Sequence, residues 1–210
     1  MGKRLRQQRR GKGAMNYRVP NYAFRPRLIY RETEGMVKDI VRDPRRDAPL
    51  AQISYADGTS AHLVATEGMS VGDSTSTSVM KLSSVKEGSQ ISNIETFPNS
   101  GPKLCRSPGT FATIVSKTQN DCIIQLPSRK TKKISLECSA TLGIPAGEGM
   151  DEKPFMKAGV KYHLMHARGK HYPTTSGLAK NAVDHPHGWS GSGKRRKQVS
   201  KNAPPGQKVV

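Results

Sequence analysis

The sequence has few apolar and few aromatic residues, which limits the hydrophobic core that it can build. Hydrophobic residues make up 34% of the 210 residues and aromatic residues 5%, whereas ordinary globular proteins contain roughly 45–50% apolar residues. We therefore expect a compact core over only part of the length. No run approaches the roughly 18 apolar residues of a membrane-spanning helix. The N-terminus lacks the apolar segment of a secretory signal and the apolar face of an interfacial helix, so we expect no membrane partner.

Cysteine is also scarce. The chain has three cysteines, Cys105, Cys122 and Cys138, and no Cys-x-x-Cys pair. An odd number without paired spacing argues against a disulfide framework and against a zinc site, and it predicts a reduced chain in the cytoplasm. Cys122 and Cys138 lie in apolar, strand-like stretches, so we expect both to be small side chains of the core.

Acidic residues are few, and the excess of positive charge lies at the two ends of the chain. The sequence contains 35 Lys and Arg but 16 Asp and Glu, for a net charge of +19. The N-terminal arm (residues 1–31) has ten basic and no acidic residues, and the C-terminal arm (residues 168–210) has nine basic residues and one acid, Asp184. Segments of one charge sign repel themselves and are not expected to fold alone. The pattern predicts a polyanionic partner, with nucleic acid as the first candidate.

The near-neutral middle of the chain predicts short β-strands. Asp57-Gly58, between two apolar runs, is typical of a β-hairpin turn, and residues 118–121 have the composition of a second turn. No segment shows a long 3.6-residue apolar period, so helix content should be low. The predicted strand segments are residues 35–43, 50–65 (two strands), 78–85, 90–97, 110–117, 122–128 and 131–138.

A Pro- and Gly-rich segment, residues 97–109, interrupts this β pattern. Strands on both sides of such a break favour two small barrels in series. Small barrels of the OB and SH3-like kinds are frequent nucleic-acid platforms, although a fold by itself does not define a function.

The stretch from residue 181 to residue 193, NAVDHPHGWSGSG, has residue types that phosphate loops use. Gly188 to Lys194 fits G-x-x-x-x-G-K. However, Arg195 occupies the position where a phosphate loop needs Ser or Thr for Mg²⁺, and no strand–helix frame surrounds the motif. The G-x-S-x-G nucleophile elbow fails at Ser192. The sequence therefore argues against a nucleotide pocket or an acyl-transfer nucleophile here.

Asp184, His185 and His187 raise the question of a metal site or a catalytic triad. Two imidazoles and a carboxylate suit Zn²⁺, but the sequence offers no fourth ligand, and an enzyme that uses these histidines stays an alternative. The same residue types hydrogen-bond to RNA bases, 2′-hydroxyls and phosphates. Pro186 would keep the segment extended, and Trp189 offers a face for stacking on a base or for packing on protein. RNA is favoured over DNA because the sequence has no recognition helix for a major groove.

Motifs along most of the chain resemble the universal large-subunit ribosomal protein L-two family in its archaeal and eukaryotic form. They include GKRLRQQRRGKG, DIVRDPRRDAPLAQISYADG, KLCRSPGTFATIVSK, EKPFMKAGVKY and the highly specific GLAKNAVDHPHG. The resemblance implies a mainly β protein with two small barrels in series between extended basic arms. The implied domains are a basic N-terminal extension (1–35), an OB-fold barrel (36–88), an SH3-like barrel (89–168) and a basic C-terminal extension (169–210).

The resemblance also implies a structural, primary rRNA-binding protein of the large ribosomal subunit in the cytoplasm. Such proteins support subunit association, tRNA placement and assembly of the peptidyl-transferase region. The implied partners are large-subunit rRNA, neighbouring large-subunit proteins and the small subunit across an intersubunit bridge. The resemblance implies no enzyme and no cofactor, apart from structural Mg²⁺ or monovalent ions shared with rRNA. A non-ribosomal RNA-binding module or RNA chaperone is the alternative.

The candidate RNA-binding residues are basic side chains of the arms and of the second barrel, together with the motif around Asp184. No catalytic and no metal-binding residue is predicted. The set comprises Lys3, Arg4, Arg6, Arg9, Arg10, Lys12, Arg18, Arg25, Arg27, Lys103, Arg106, Lys153, Lys157, Arg168, Lys170, Lys180, Asn181, Asp184, His185, His187, Trp189, Lys194, Arg195, Arg196 and Lys197.

Overall fold

The computed structural model describes residues 3–21, 23, 26–31, 33–75, 78–188 and 202. The chain divides into two compact units, which we call the β unit (residues 22–155) and the arm unit (residues 1–21 and 156–210). Nine strands and two short α-helices lie within the described residues, so the prediction of a mainly β fold with little helix is confirmed. The strands are β1 (Gly35–Val41), β2 (Leu50–Tyr55), β3 (Ser60–Val64), β4 (Val79–Lys81), β5 (Gln90–Ser92), β6 (Ala112–Lys117), β7 (Asp121–Gln125), β8 (Thr131–Ser135) and β9 (Ser139–Leu142).

The first sheet of the β unit is a three-stranded antiparallel meander in the order β1-β2-β3. Its register pairs Leu50 with Val64 and Ile53 with Ala61, and these apolar side chains are buried. The predicted hairpin around Asp57 is confirmed: the Asp57 carboxylate accepts a hydrogen bond from the Thr59 amide at 3.0 Å, which closes the turn between β2 and β3.

The second sheet has six antiparallel strands in the order β4-β9-β5-β6-β7-β8. Its core includes Leu82, Ile91, Ile114 and the two cysteines that the sequence placed there, Cys122 and Cys138. Burial raises the pKa of the Cys138 thiol to about 11, so this thiol stays protonated and unreactive at neutral pH.

The Pro- and Gly-rich segment 97–109 does not connect the two sheets. It lies between β5 and β6, which pair with each other, and β4, which also precedes it, pairs with β9 of the same sheet. The segment is therefore a loop within the second sheet, and the interpretation of it as the division between two β groups is corrected. The sequence missed this because β4 and β5, although they lie in predicted strand segments, pair with strands beyond the break, and local periodicity does not show which strands pair.

Buried polar groups hold the second sheet to its neighbours in the β unit. The Tyr30 hydroxyl lies 2.8 Å from the Asn93 carbonyl oxygen and 2.7 Å from Thr141 Oγ1, and Asn93 Nδ2 donates to the Val64 carbonyl at 3.2 Å. The buried Glu95 carboxylate accepts from two backbone amides. Because buried polar groups are costly unless paired, this network specifies how these segments pack.

The arm unit is built differently, because it has no apolar core among its described residues. It contains α1 (Arg6–Gly11), α2 (Ala158–Ala167) and 3-10 turns at Met15–Tyr17 and Gly177–Ala179. Within the described part of this unit only His185 and Gly188 are buried, and both helices bury no residue at all. The sequence did not predict α2, since its apolar residues do not form one continuous stripe. No helix in the described part of the chain is long and apolar enough to cross a membrane.

Candidate nucleic-acid interface

The N-terminal arm presents its basic residues to solvent on and around a short helix. In α1, Arg9 and Arg10 are exposed, and the first turn of the helix has no acidic residue. Lys12 and Arg18 follow, both exposed, and Arg18 Nε donates to the Gly13 carbonyl at 2.9 Å. A surface of one charge sign with little apolar support is typical of a segment that neutralises phosphates.

The motif around Asp184 folds into consecutive tight turns. The Asn181 carbonyl accepts hydrogen bonds from the amides of Asp184 at 3.0 Å and His185 at 3.2 Å, and the Gly188 amide donates to the His185 carbonyl at 2.8 Å. The expectation that Pro186 holds an extended segment here is therefore wrong. The turns prevail because the Asn181 carbonyl can serve two amides at once, and the sequence pattern does not reveal this.

Two glycines make these turns sterically feasible. A Cβ on Gly188 would lie 2.2 Å from the Asn181 carbonyl oxygen, so only glycine allows the backbones to approach this closely. A Cβ on Gly177 would lie 2.3 Å from Cε1 of His185, so Gly177 leaves room for the buried imidazole. We predicted that glycine in this arm allows one backbone segment to approach another closely, and Gly188 does so.

The side chains of this motif contact partners within the arm unit. The His187 amide donates to Nδ1 of His185 at 3.0 Å, which fixes Nδ1 as an unprotonated acceptor, and the two imidazoles meet edge to face with ring centroids 4.9 Å apart. The Asp184 carboxylate pairs with Lys3 Nζ at 2.9 Å, and the hydrogen bond from Lys3 is the main cause that lowers the pKa of Asp184. In the described part of the chain, no three His, Cys, Asp or Glu side chains gather to hold a metal ion.

The Lys3–Asp184 pair also joins the two arms. The Lys3 amide donates to the Val183 carbonyl at 2.7 Å, so both the backbone and the side chain of Lys3 contact the C-terminal motif. The structure thus brings together four of the predicted residues. Lys3 lies about 180 positions before the other three, Asp184, His185 and His187.

A second group of cations lies in the β unit around Arg106. Burial, and then the nearby positive charge of Arg46, lower the pKa of Arg106, and the same two causes lower the pKa of His62. Arg46 is held by the buried Asp43, whose carboxylate also accepts from the Arg45 amide at 2.9 Å. Asp43 compensates the charge of Arg46, and Arg106 remains as a further cation whose charge an anion would compensate, so this group is a candidate phosphate site. Arg106 was predicted, and Arg46 was missed although the DPRR motif contains it.

A third group, also missed, lies on the hairpin between β7 and β8. Its four cations are all exposed, and β8 is the last strand of its sheet. Lysines on an edge strand discourage unwanted strand pairing, and four cations within five residues also attract a polyanion. The signal in the sequence is the run RKTKK, which comprises Arg129, Lys130, Lys132 and Lys133.

The remaining predicted residues are dispersed. Arg4, Arg27, Lys103, Lys153, Lys157 and Lys170 are exposed, while Arg6, Arg168 and Lys180 are half-buried. Six predicted residues, Arg25, Trp189, Lys194, Arg195, Arg196 and Lys197, lie outside the described residues.

These features define a class of protein: a mainly β protein with several cationic surfaces suited to a polyanion. Comparison with known families identifies the family within this class. The family model described as "Ribosomal Proteins L2, RNA binding N-terminal domain" matches residues 2–77, and the one described as "Ribosomal Proteins L2, C-terminal domain" matches residues 75–208. The chain belongs to the ribosomal protein L2 family, and the resemblance seen in its motifs is confirmed.

Archaeal relatives agree over the full length. Proteins named "Large ribosomal subunit protein uL2" from Natronomonas pharaonis, Haloarcula marismortui and Methanothermobacter thermautotrophicus are 40%, 39% and 41% identical to this chain. The similarity covers 100% of this chain and 93%, 94% and 95% of the respective relatives.

Proposed function

We propose that this chain is a structural constituent of the large ribosomal subunit in the cytoplasm and binds large-subunit rRNA through its two arms. The observation that supports this most is the composition of the arm unit. Among its described residues only His185 and Gly188 are buried, and the arms that it contains have a large excess of basic residues. A unit without an apolar core that repels itself gains order from an anionic partner, and folded RNA supplies phosphates at the required density.

Within that role the chain supports subunit association, tRNA placement and assembly of the peptidyl-transferase region. The cations around Arg106 and the two arms give it separate contact points on rRNA. The four predicted domains (1–35, 36–88, 89–168 and 169–210) remain part of this proposal, except that pairing of β4 with the second sheet moves the proposed boundary between the two barrels to before residue 79. Neighbouring large-subunit proteins complete its surroundings.

The small subunit is proposed as a partner across an intersubunit bridge. The hairpin between β7 and β8 supports this, because its four exposed cations lie outside the arms. They can therefore attract a second RNA while the arms bind large-subunit rRNA. Replacing Lys132 and Lys133 with Gln is expected to weaken association of the two subunits in sedimentation while rRNA binding by the arms is unchanged. The matched control is Lys86→Gln, an exposed lysine elsewhere in the β unit. Equal association of all three proteins would contradict the bridge.

We assign the chain no catalytic step. The imidazoles of His185 and His187 contact each other, and Asp184 pairs with Lys3, so the three groups stabilise the turn. Metal analysis of the purified chain and of His185→Ala tests the alternative enzyme: an ion bound stoichiometrically and lost on substitution would favour it.

Crosslinking of the intact chain to total cellular RNA tests the proposed function. We expect crosslinks concentrated in large-subunit rRNA, and co-sedimentation with purified large subunits that persists at high salt. Crosslinks scattered over mRNA, together with loss from the subunits at high salt, would instead indicate a free RNA-binding module or chaperone.

A further inference from the structure

A cavity in the arm unit has the size and chemistry of a binding site for one nucleotide. Its volume is about 360 Å³, within the range of about 300–1,000 Å³ that is typical of small-ligand sites. One wall comes from residues 3–5 and 8 of the N-terminal arm and the other from residues 182, 183, 185 and 186 of the C-terminal motif. We call it the arm cavity.

Contacts between the two arms hold the walls of the arm cavity in place. The Lys3 amide donates to the Val183 carbonyl at 2.7 Å, and Lys3 Nζ lies 2.9 Å from Asp184 Oδ1. On the N-terminal wall, Gln8 Oε1 accepts from the Leu5 amide at 2.9 Å. The cavity therefore exists only when both arms are in contact, and the sequence alone could not place its two walls side by side.

The lining combines two kinds of surface. Leu5, Val183 and Pro186 provide apolar contact, Arg4 provides positive charge, and the Lys3 ammonium, whose charge Asp184 compensates, can donate further hydrogen bonds. Among the described residues, no carboxylate lines the cavity, since Asp184 is paired with Lys3 and is not part of the wall. A purely apolar ligand would not require the cations, and a free phosphate would not require the apolar wall. A nucleotide requires both, because it joins a flat, largely apolar base to a phosphate.

We propose that the arm cavity receives one unpaired nucleotide of the bound RNA. The base lies against Leu5, Val183 and Pro186, and the adjoining phosphate lies on Lys3 and Arg4. Sequence-specific recognition of RNA commonly takes place at unstacked bases in loops and bulges, and such a base is favoured where an apolar wall removes it from water. The inference rests on the proposed RNA binding, to which it adds a single, localised recognition point.

Filling the arm cavity without changing its charge is the first test. Val183 is 48% exposed, so Val183→Phe adds bulk at the wall without disturbing a packed core. We expect the full-length variant to bind purified large-subunit rRNA about tenfold more weakly, the loss expected when one base is returned from an apolar wall to water. The dependence of its affinity on salt should be unchanged, because no phosphate contact is removed. The matched control, Val160→Phe, makes the same change at an exposed position of α2 and should bind like the wild type.

An abasic nucleotide distinguishes a filled cavity from a distorted loop. Chemical probing of the complex should identify one unpaired nucleotide that the wild type protects and Val183→Phe leaves reactive. With rRNA that is abasic at this nucleotide, the wild type should lose the same factor of about ten, and Val183→Phe should lose nothing more, because the two changes remove one contact.

Several outcomes would overturn the proposal. Equal affinity and equal protection for wild type and Val183→Phe would show that the arm cavity does not hold a nucleotide, as would losses that multiply in the combined experiment. A cavity that instead binds an acidic peptide of a neighbouring protein gives this same unchanged rRNA affinity. If the wild type itself failed to bind large-subunit rRNA, the proposed function would fail, and that result is distinct from failure at the cavity.

Discussion

At the scale of single residues, the C-terminal motif depends on atoms that leave little room for substitution. The Asn181 carbonyl serves two amides, and Gly177 and Gly188 make way for an imidazole and a carbonyl. The sequence showed that these residue types suit RNA, and the structure adds that His185 is buried within the motif. What the sequence could not show is the Lys3–Asp184 contact, since nothing in the local pattern links residues that far apart.

Substitution of Gly188 by Ala should open the motif. The added methyl group would lie 2.2 Å from the Asn181 carbonyl oxygen, so the turn must give way. We expect affinity of the full chain for large-subunit rRNA to fall about tenfold, measured by filter binding. Gly159→Ala in α2 is the matched control: nothing lies within 4 Å of its added Cβ, and Ala favours a helix. Equal losses for the two variants would contradict the steric explanation.

The pairing of Asp184 with Lys3 should depend on pH at the acidic end. The hydrogen bond from Lys3 lowers the pKa of Asp184 in the folded chain below the ordinary value of about 3.9. The pair therefore stabilises contact between the arms above that ordinary pKa, and this stabilisation is lost as the pH falls through the lower folded pKa. NMR titration of the Asp184 carboxyl carbon should give a midpoint below the ordinary one, and Lys3→Gln should restore it. Identical midpoints in the two proteins would rule out the pair in solution.

At the scale of elements, the strands were predictable where alternation and turn residues agree. β1, β2, β3, β4, β5, β6 and β8 lie within the predicted segments, and β7 overlaps its predicted segment but begins one residue earlier, at Asp121. β9 was missed because its four residues follow β8 directly, and α2 was missed because it buries no residue. Long-range pairing, such as β4 with β9, is not encoded in any local pattern.

The buried Glu95 should be important for the junction of β5 and β9. Its carboxylate accepts from the amides of Gly101 at 2.7 Å and Ser139 at 2.9 Å. Glu95→Ala leaves both buried amides without this acceptor, so the free energy of unfolding should fall by about 2–4 kcal/mol, measured by urea denaturation. Glu87→Ala is the control: this exposed carboxylate accepts from the Lys117 amide at 2.7 Å, and its loss should cost about 1 kcal/mol or less. A similar cost for both variants would refute a special role for the buried carboxylate.

At the scale of the whole molecule, the two units are stabilised by different forces. The β unit has buried apolar clusters and a buried polar network, which suffice for a folded domain. The arm unit has hydrogen-bonded turns, one inter-arm ion pair and no apolar core among its described residues. The charge distribution predicted this contrast, because it can be read by counting residues. The sequence did not predict that the arms contact each other.

Hydrogen exchange of the backbone amides in the full chain, with and without purified large-subunit rRNA, tests the central claim that RNA stabilises the arms. In the free protein, amides of α1 and the C-terminal motif should exchange far faster than those of β6 and β7, because local opening there exposes no apolar core. Bound rRNA should slow exchange in the arms by at least about tenfold and leave β6 and β7 nearly unchanged. If the free protein, stripped of nucleic acid, already protected α1 as strongly as β7 and rRNA added nothing, the account would be wrong.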